Sequence, residues 1–148
     1  MSIEANKAAV KRYFAEALDG GRPEVLAEIM VPGCIAHFPG RDAPADRGAA
    51  ARSSASSFVT TLHHLVAEDD LVVAHLTHVV TYKPGVTNET RVGKVDVGEK
   101  TITWDAIAIF RFEGGLIAEE WVSRDELGQL LQAGAVIPDV RSRTGGES

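Results

Sequence analysis

The side chains of this chain best placed to move a proton are His78 and Glu120, with Tyr13, His37 and Arg124 as partners. His78 shares strand parity with Val72, Ala74, Leu76 and Val80, because side chains alternate across a strand. An unperturbed imidazole titrates near about 6.5, so it can take and return a proton near neutrality. A histidine on an apolar face is more often a satisfied core residue than a catalyst; a cavity beneath that face makes the two readings even. Glu120 lies two residues before Val122 and shares its face. If that face is buried, desolvation raises the carboxyl pKa and suits it to general acid–base work. A strand-edge glutamate in water is the plainer alternative and carries more weight from sequence. Arg124 shares the same parity and could pair with Glu120 at a pocket rim, or simply open the last helix.

Further candidates serve binding. Tyr13 could aim its hydroxyl into a pocket, although such a tyrosine is more often core with a wet tip. His37 follows Ile35 by two and either lines a cavity or closes the loop at Phe38-Pro39. Trp104 reads as a stacking wall or as plain core. His75 falls on the face opposite His78. His63 and His64 are adjacent, so alternation turns them apart and denies them a shared metal. Asp125 and Glu126 have a structural reason at a helix N-terminus. Asp105 faces away from Trp104. No phosphate loop and no nucleophile elbow is present, and the single Cys34 leaves no zinc-spaced cluster and no intrachain disulfide.

These residues need elements to hold them. Val10, Tyr13, Phe14, Ala17 and Leu18 mark an amphipathic helix over 3–18, ended by Gly20-Gly21. A second short helix starts at Pro23, carries Val25, Leu26, Ile29 and Met30, and stops at Pro32-Gly33. Residues 34–38 read as a short strand, 39–46 as a loop, and 47–58 as an Ala- and Ser-rich third helix. Strands follow at 62–67 and 71–82, the second rich in Val and Thr. Residues 84–100 read as a loop around a short strand near 91–97. The strand 101–112 meets 116–122 through a Gly114-Gly115 hairpin. Ser123 and Glu126 have capping-box spacing before a last helix over about 124–132. The domain is expected over 1–136, with a polar tail, 137–148, that frays. Helices first and mostly antiparallel strands after them describe an α+β domain.

Strand parity adds two expectations. On 101–112 one face carries Trp104, Ala106, Ala108, Phe110 and Phe112; the other carries Ile107 and Ile109 among polar neighbours. A sheet with one wet face does not look like that. A second subunit is expected over Ile107, Ile109 and Trp121, most simply by two-fold symmetry. Folding of the C-terminal segment over that face is the alternative. On the inner face, Ala106 and Ala108 between larger residues either match volumes in a solid core or leave room for a ligand.

Composition excludes whole classes. The 148 residues carry a net charge of −6, with 45% hydrophobic and 24% charged residues. That describes a globular chain with no basic stripe for nucleic acid. The N-terminus lacks the basic-then-apolar order of a signal peptide. The apolar stretch 71–80 is interrupted and short of the roughly 20 residues a bilayer span needs. A cytoplasmic protein, without nucleic-acid or membrane partners, is expected.

The run Ile109-Phe110-Arg111-Phe112-Glu113-Gly114-Gly115-Leu116-Ile117-Ala118-Glu119-Glu120-Trp121 resembles the SnoaL-like polyketide cyclase family. Residues 66–74, residues 31–38 with His37, and Asp125 onward through 127–132 fit the same pattern, over most of 6–136. The resemblance implies an NTF2-like cone: a bent, mostly antiparallel sheet on three N-terminal helices, with a short C-terminal helix, a deep pocket and commonly a dimer. It also implies a pocket histidine just before Ile109 and an acid/base aspartate just after Trp121. The epoxide-hydrolase relatives share the second of these. Those positions are Ala108 and Val122 here, so neither apparatus carries over intact. The expected function is a cofactor-independent enzyme that cyclises, isomerises or hydrolyses an apolar carbonyl- or epoxide-bearing metabolite. His78 and Glu120 would move protons; Tyr13, His37, Trp104, Ala108, Phe110 and Val122 would bind substrate. The alternatives are a non-catalytic small-molecule-binding dimer domain and a purely structural dimer module.

Overall fold

The computed structural model describes residues 2–135. Its helices are α1 (Ile3–Arg12), α2 (Leu26–Ile29), α3 (Arg47–Ser53) and α4 (Glu126–Gln132). Its strands are β1 (Met30–Phe38), β2 (Arg41–Pro44), β3 (Ala55–Glu68), β4 (Leu71–Tyr82), β5 (Thr87–Thr90), β6 (Gly93–Asp96), β7 (Thr101–Glu113) and β8 (Leu116–Arg124). The large sheet has the order β2-β1-β8-β7-β4-β3, and β5 with β6 makes a separate hairpin. Only the β1–β8 pair of the large sheet runs parallel.

The N-terminal amphipathic stripe forms as expected, with a change of winding. The Ser2 hydroxyl accepts from the Ala5 amide at 3.0 Å and caps α1. From Tyr13 to Asp19 the helix continues as a π-helical stretch. Such wide turns are rare and recur at functional sites. Here the stretch buries Tyr13, Phe14, Ala17 and Leu18 against the sheet.

Four local readings are corrected, each by pairing that local propensity does not see. Met30 begins β1 rather than ending a helix, and the strand passes through Pro32 and Gly33. The β1–β8 register shifts between Met30 and Ile35, and Gly33 takes φ 77°; a bulge absorbs the residues that read as a break. The expected loop 39–46 contains β2, antiparallel to β1. The expected helix 47–58 ends at Ser53, and β3 starts at Ala55, well before Leu62. Pairing with β4 from Ala55 to Glu68 outweighs the weak strand preference of Ala and Ser. Within 84–100 two short strands form, not one. The capping box also fails: Ser123 still belongs to β8, and the Asp125 carboxylate caps α4 by accepting from the Gly128 amide at 2.9 Å. The tail over 137–148 lies outside the described residues.

Alternating burial along β4 and β7 places the inner face as parity predicts. Val72, Ala74, Leu76, Phe110, Phe112 and Ile117 form the centre of the core beneath the helices. Register shifts in β1, β3 and at the β7–β8 pair mark bulges that bend the strands around it. One bulge, between Leu62 and His64, also changes a side-chain direction. Both His63 and His64 now reach His75 on the outer face, with ring centroids 5.0 and 5.3 Å away. Strict alternation had turned them apart.

Candidate active site

Between the inner face and the helices lies a cavity of about 280 Å³. Tyr13, His78, Trp104, Ala108, Glu120 and Val122 all line it, as do Arg47 and Arg124. Ala106 and Ala108, set between Trp104 and Phe110 on β7, are the short side chains that leave the space open.

Two expected lining residues stand elsewhere. Phe110 is fully buried beneath the cavity wall, its ring edge-on to Tyr13 at 5.6 Å and to Phe14 at 6.1 Å. His37 points to the outer face, because β1 turns Ala36 and Phe38 inward. Its Nδ1 lies 2.8 Å from Asp42 and its Nε2 2.6 Å from Glu119, and its ring stacks on Trp121. The hydrogen bonds to Asp42 and Glu119 hold this imidazole above its ordinary pKa.

His78 is held by residues that sequence reasoning did not select. Its Nδ1 lies 2.8 Å from the Thr60 hydroxyl, which donates its one proton to Asp19 Oδ1 at 2.8 Å. The Thr60 amide donates to Asp19 Oδ2 at 3.0 Å. Since the hydroxyl proton is spent on Asp19, Thr60 can only accept from His78. The imidazole therefore carries its proton on Nδ1 and keeps an Nε2 lone pair on a ring that lines the cavity. Burial, then Arg124 and Arg47, lower its pKa to about 4, so the ring is neutral near pH 7. Phe14, Phe58 and Trp104 surround it, all with ring centroids within 6.0 Å. Asp19 itself is pushed up by burial, against the pull of its two Thr60 hydrogen bonds. Asp19 ends the π-helical stretch, while Thr60 and His78 pair across β3 and β4. No sequence spacing links residues 41 positions apart.

Glu120 is 3% exposed, and its Oε2 has no hydrogen-bond partner. Burial raises its pKa to about 7, opposed by Arg47. Burial, reinforced by the Glu120 charge, likewise pushes the Tyr13 phenol well above its ordinary value. The Arg124–Glu120 pairing expected at the rim is not formed; no ion pair includes either residue among the described ones.

The Glu120 shift has a stability consequence. A carboxyl whose folded pKa is raised from 4.5 favours folding while protonated. Its contribution is full below about pH 4.5 and is lost as pH climbs through about 7. At about 1.36 kcal/mol per pKa unit, the loss is on the order of 3 kcal/mol. Glu120→Gln is expected to flatten this slope, raising the melting temperature relative to the parent at alkaline pH and not near pH 5. Thermal unfolding at both pH values checks it; parallel slopes in the two proteins would contradict a buried titrating Glu120.

Among the described residues, no group of three His, Cys, Asp or Glu side chains converges as metal ligands. No helix among them is long and apolar enough to cross a membrane.

A curled sheet packed on N-terminal helices, with a cavity between them lined by aromatic and ionisable side chains, defines an α+β cone of the NTF2-like kind. The chain belongs to the SnoaL-like polyketide cyclase family, whose family model matches residues 8–133. Among solved structures it resembles TsrD from Streptomyces laurentii, at 24% identity and TM-score 0.74, covering 92% of this chain and 99% of that one. AclR from Streptomyces galilaeus aligns at 15% identity and TM-score 0.73, covering 92% and 100%. An LEH-like epoxide hydrolase from M. tuberculosis aligns at 12% identity and TM-score 0.66, covering 88% and 90%. At such identities these structures speak for the fold. A search of curated proteins gives no significant match.

Proposed function

We propose that this protein is a small-molecule enzyme that works by acid–base catalysis without a cofactor. Its substrate is a mostly apolar metabolite bearing a carbonyl or an epoxide, and its reaction is a cyclisation, isomerisation or hydrolysis. The observation that carries this reading is the Asp19–Thr60–His78 chain, which leaves Nε2 unprotonated on the cavity wall. As base, Nε2 takes a proton from a carbon beside the carbonyl or from an attacking water. Glu120, protonated for much of the range below about pH 7, offers a proton to a substrate oxygen. Tyr13 supports that oxygen with its un-ionised phenol, and Trp104, Ala108 and Val122 bound the apolar part.

The two proton carriers serve different substrate atoms. Their β7 partners are Trp104 for His78 and Phe110 for Glu120. Those partners lie six residues apart on the curved inner face, and the Phe14 ring spans them, 6.0 Å from His78 and 6.1 Å from Phe110. Binding without catalysis is the second reading, favoured by Ala108 and Val122 standing where the resemblance implies a histidine and an aspartate.

The test is a panel of carbonyl and epoxide substrates assayed with the parent, His78→Gln and Glu120→Gln. Turnover that falls in both variants supports the enzyme. Undiminished turnover in both, or tight binding with no turnover by the parent, overturns it.

The working unit is proposed to be a homodimer joined through the outer sheet face. That face exposes Ile107 (51%), Val66 (59%) and Trp121 (36%), and the register aligns Trp121, Ile109, Val73 and Val66 in one row. Water does not favour such a row in a monomer. Ile107→Lys is expected to convert a sedimenting dimer to monomer while leaving the circular dichroism unchanged. A parent protein that is monomeric at micromolar concentration would sink the dimer.

A further inference from the structure

Three guanidinium groups gather around one ring. The Arg47, Arg124 and Arg41 guanidinium carbons lie 3.9, 5.1 and 5.6 Å from the Phe38 centroid, and all three residues line the cavity. None of the three forms an ion pair among the described residues, where Arg12, Arg22, Arg91 and Arg111 all do. Arg47 Nε is buried with no hydrogen-bond partner at all. One aromatic ring attracts a cation weakly. It does not compensate for desolvating several like charges side by side. Burial, then Arg47 and Arg41, lower the Arg124 pKa, the mark of a cation short of a counter-charge.

The acidic groups nearby are already engaged or neutralised. Glu126 accepts from Arg91 at 3.0 and 3.3 Å, and Glu89 pairs with Lys94 at 3.7 Å. Glu120 lies on the same wall but makes no ion pair, and its burial favours the protonated form. The cavity therefore holds unpaired positive charge at one end and apolar walls elsewhere.

We propose that Arg47 and Arg124, with Arg41 at the rim, form a subsite for a carboxylate carried on an apolar body, so that the ligand of this cavity is an organic acid. A guanidinium offers a planar fork of donors that matches a carboxylate's two oxygens. Glu126 and Glu89 beside the cluster temper its field, which favours a singly charged group over a phosphate dianion. The inference deepens the proposed function, since it names the substrate class of the same cavity, but it is read out by binding and needs no turnover.

The experiment is isothermal titration with naphthalene-2-carboxylate, its uncharged carboxamide and inorganic phosphate. The proteins are the parent, Arg47→Gln, Arg124→Gln, Arg47→Lys and, as a remote control, Arg22→Gln. Charge-assisted hydrogen bonds predict that the parent prefers the carboxylate over the carboxamide by about tenfold or more. Arg47→Gln and Arg124→Gln should each erase most of that preference while leaving carboxamide affinity unchanged. Arg47→Lys keeps the charge without the fork and should fall between; Arg22→Gln should match the parent. Thermal unfolding of each variant confirms that the fold persists. Equal affinity for acid and amide, equal loss of both in the arginine variants, or phosphate binding as tight as the carboxylate overturns the subsite. Carboxylate binding as predicted, with no turnover of any substrate, keeps the subsite and removes the catalytic reading. Turnover of neutral substrates without preference for an acid removes the subsite alone.

Discussion

His78→Gln is expected to lower turnover by about 10²–10⁴-fold, the usual contribution of a positioned general acid–base group. Glutamine fills similar space but cannot take a proton. The ring it replaces has its Nδ1 committed to Thr60, so the change removes the Nε2 lone pair together with the ring's packing on Phe14, Phe58 and Trp104. Thr60→Val should show a smaller loss, because the base remains but its tautomer is no longer imposed. The pH profile separates the roles. His78 titrates near about 4, so activity should fall only as pH drops toward that value. Glu120 titrates near about 7, so activity should also fall above it. Glu120→Gln should abolish the alkaline limb and leave the acidic one. An acidic limb that survives in His78→Gln would assign the base elsewhere.

Stability runs the other way for the histidine. Its folded pKa lies below its ordinary value of 6.5, so folding favours the neutral ring. That contribution is full above pH 6.5 and is lost as pH falls toward about 4. Burial thus makes His78 and Glu120 oppose each other in acid-range stability, while both stay neutral over much of the range between about 4 and 7.

Phe110→Ala is expected to cost about 3–5 kcal/mol of stability, the range for truncating a buried aromatic. Phe110 has no exposed surface, and it anchors β7 against Tyr13 and Phe14 of the π-helical stretch. For a domain of this size each kcal/mol moves the melting temperature by about 2–4 °C. Urea unfolding measures the free energy directly. A cost below about 1 kcal/mol would mean that the ring is a pocket wall, as the sequence resemblance implied, and that the core does not depend on it. Because Tyr13 and Phe14 lean on the same ring, the variant should also loosen the cavity wall.

The long strands at 71–82 and 101–112 were legible because Val, Ile and Thr alternate there over many residues. The same parity put His78 with Leu76 and Val80, and Glu120 with Val122, and left open for each whether that face meets a cavity; the cavity lining brings both together with Trp104 and Tyr13. Parity failed wherever a bulge intervened: at Gly33, where β1 continues past a break signal, and at His63-His64, which share a face across a register shift. Residues 55–58 read as helix because Ala and Ser are locally noncommittal and only the partner strand decides.

Composition and periodicity alone therefore determined an α+β chain with apolar residues on both sheet faces, and singled out His78 and Glu120 without deciding whether they face a cavity or water. Tertiary structure decided what those two groups are. Contacts 18 and 41 residues apart give His78 its tautomer through Thr60 and Asp19. Desolvation by the surrounding fold raises Glu120 to about 7. Three arginines meet at Phe38 from β2, α3 and β8 without a counter-charge. Periodicity is a local property of the chain, and it reports which way a side chain faces. Burial, hydrogen-bond partners and field belong to neighbours brought from elsewhere in the sequence, and no local pattern contains them.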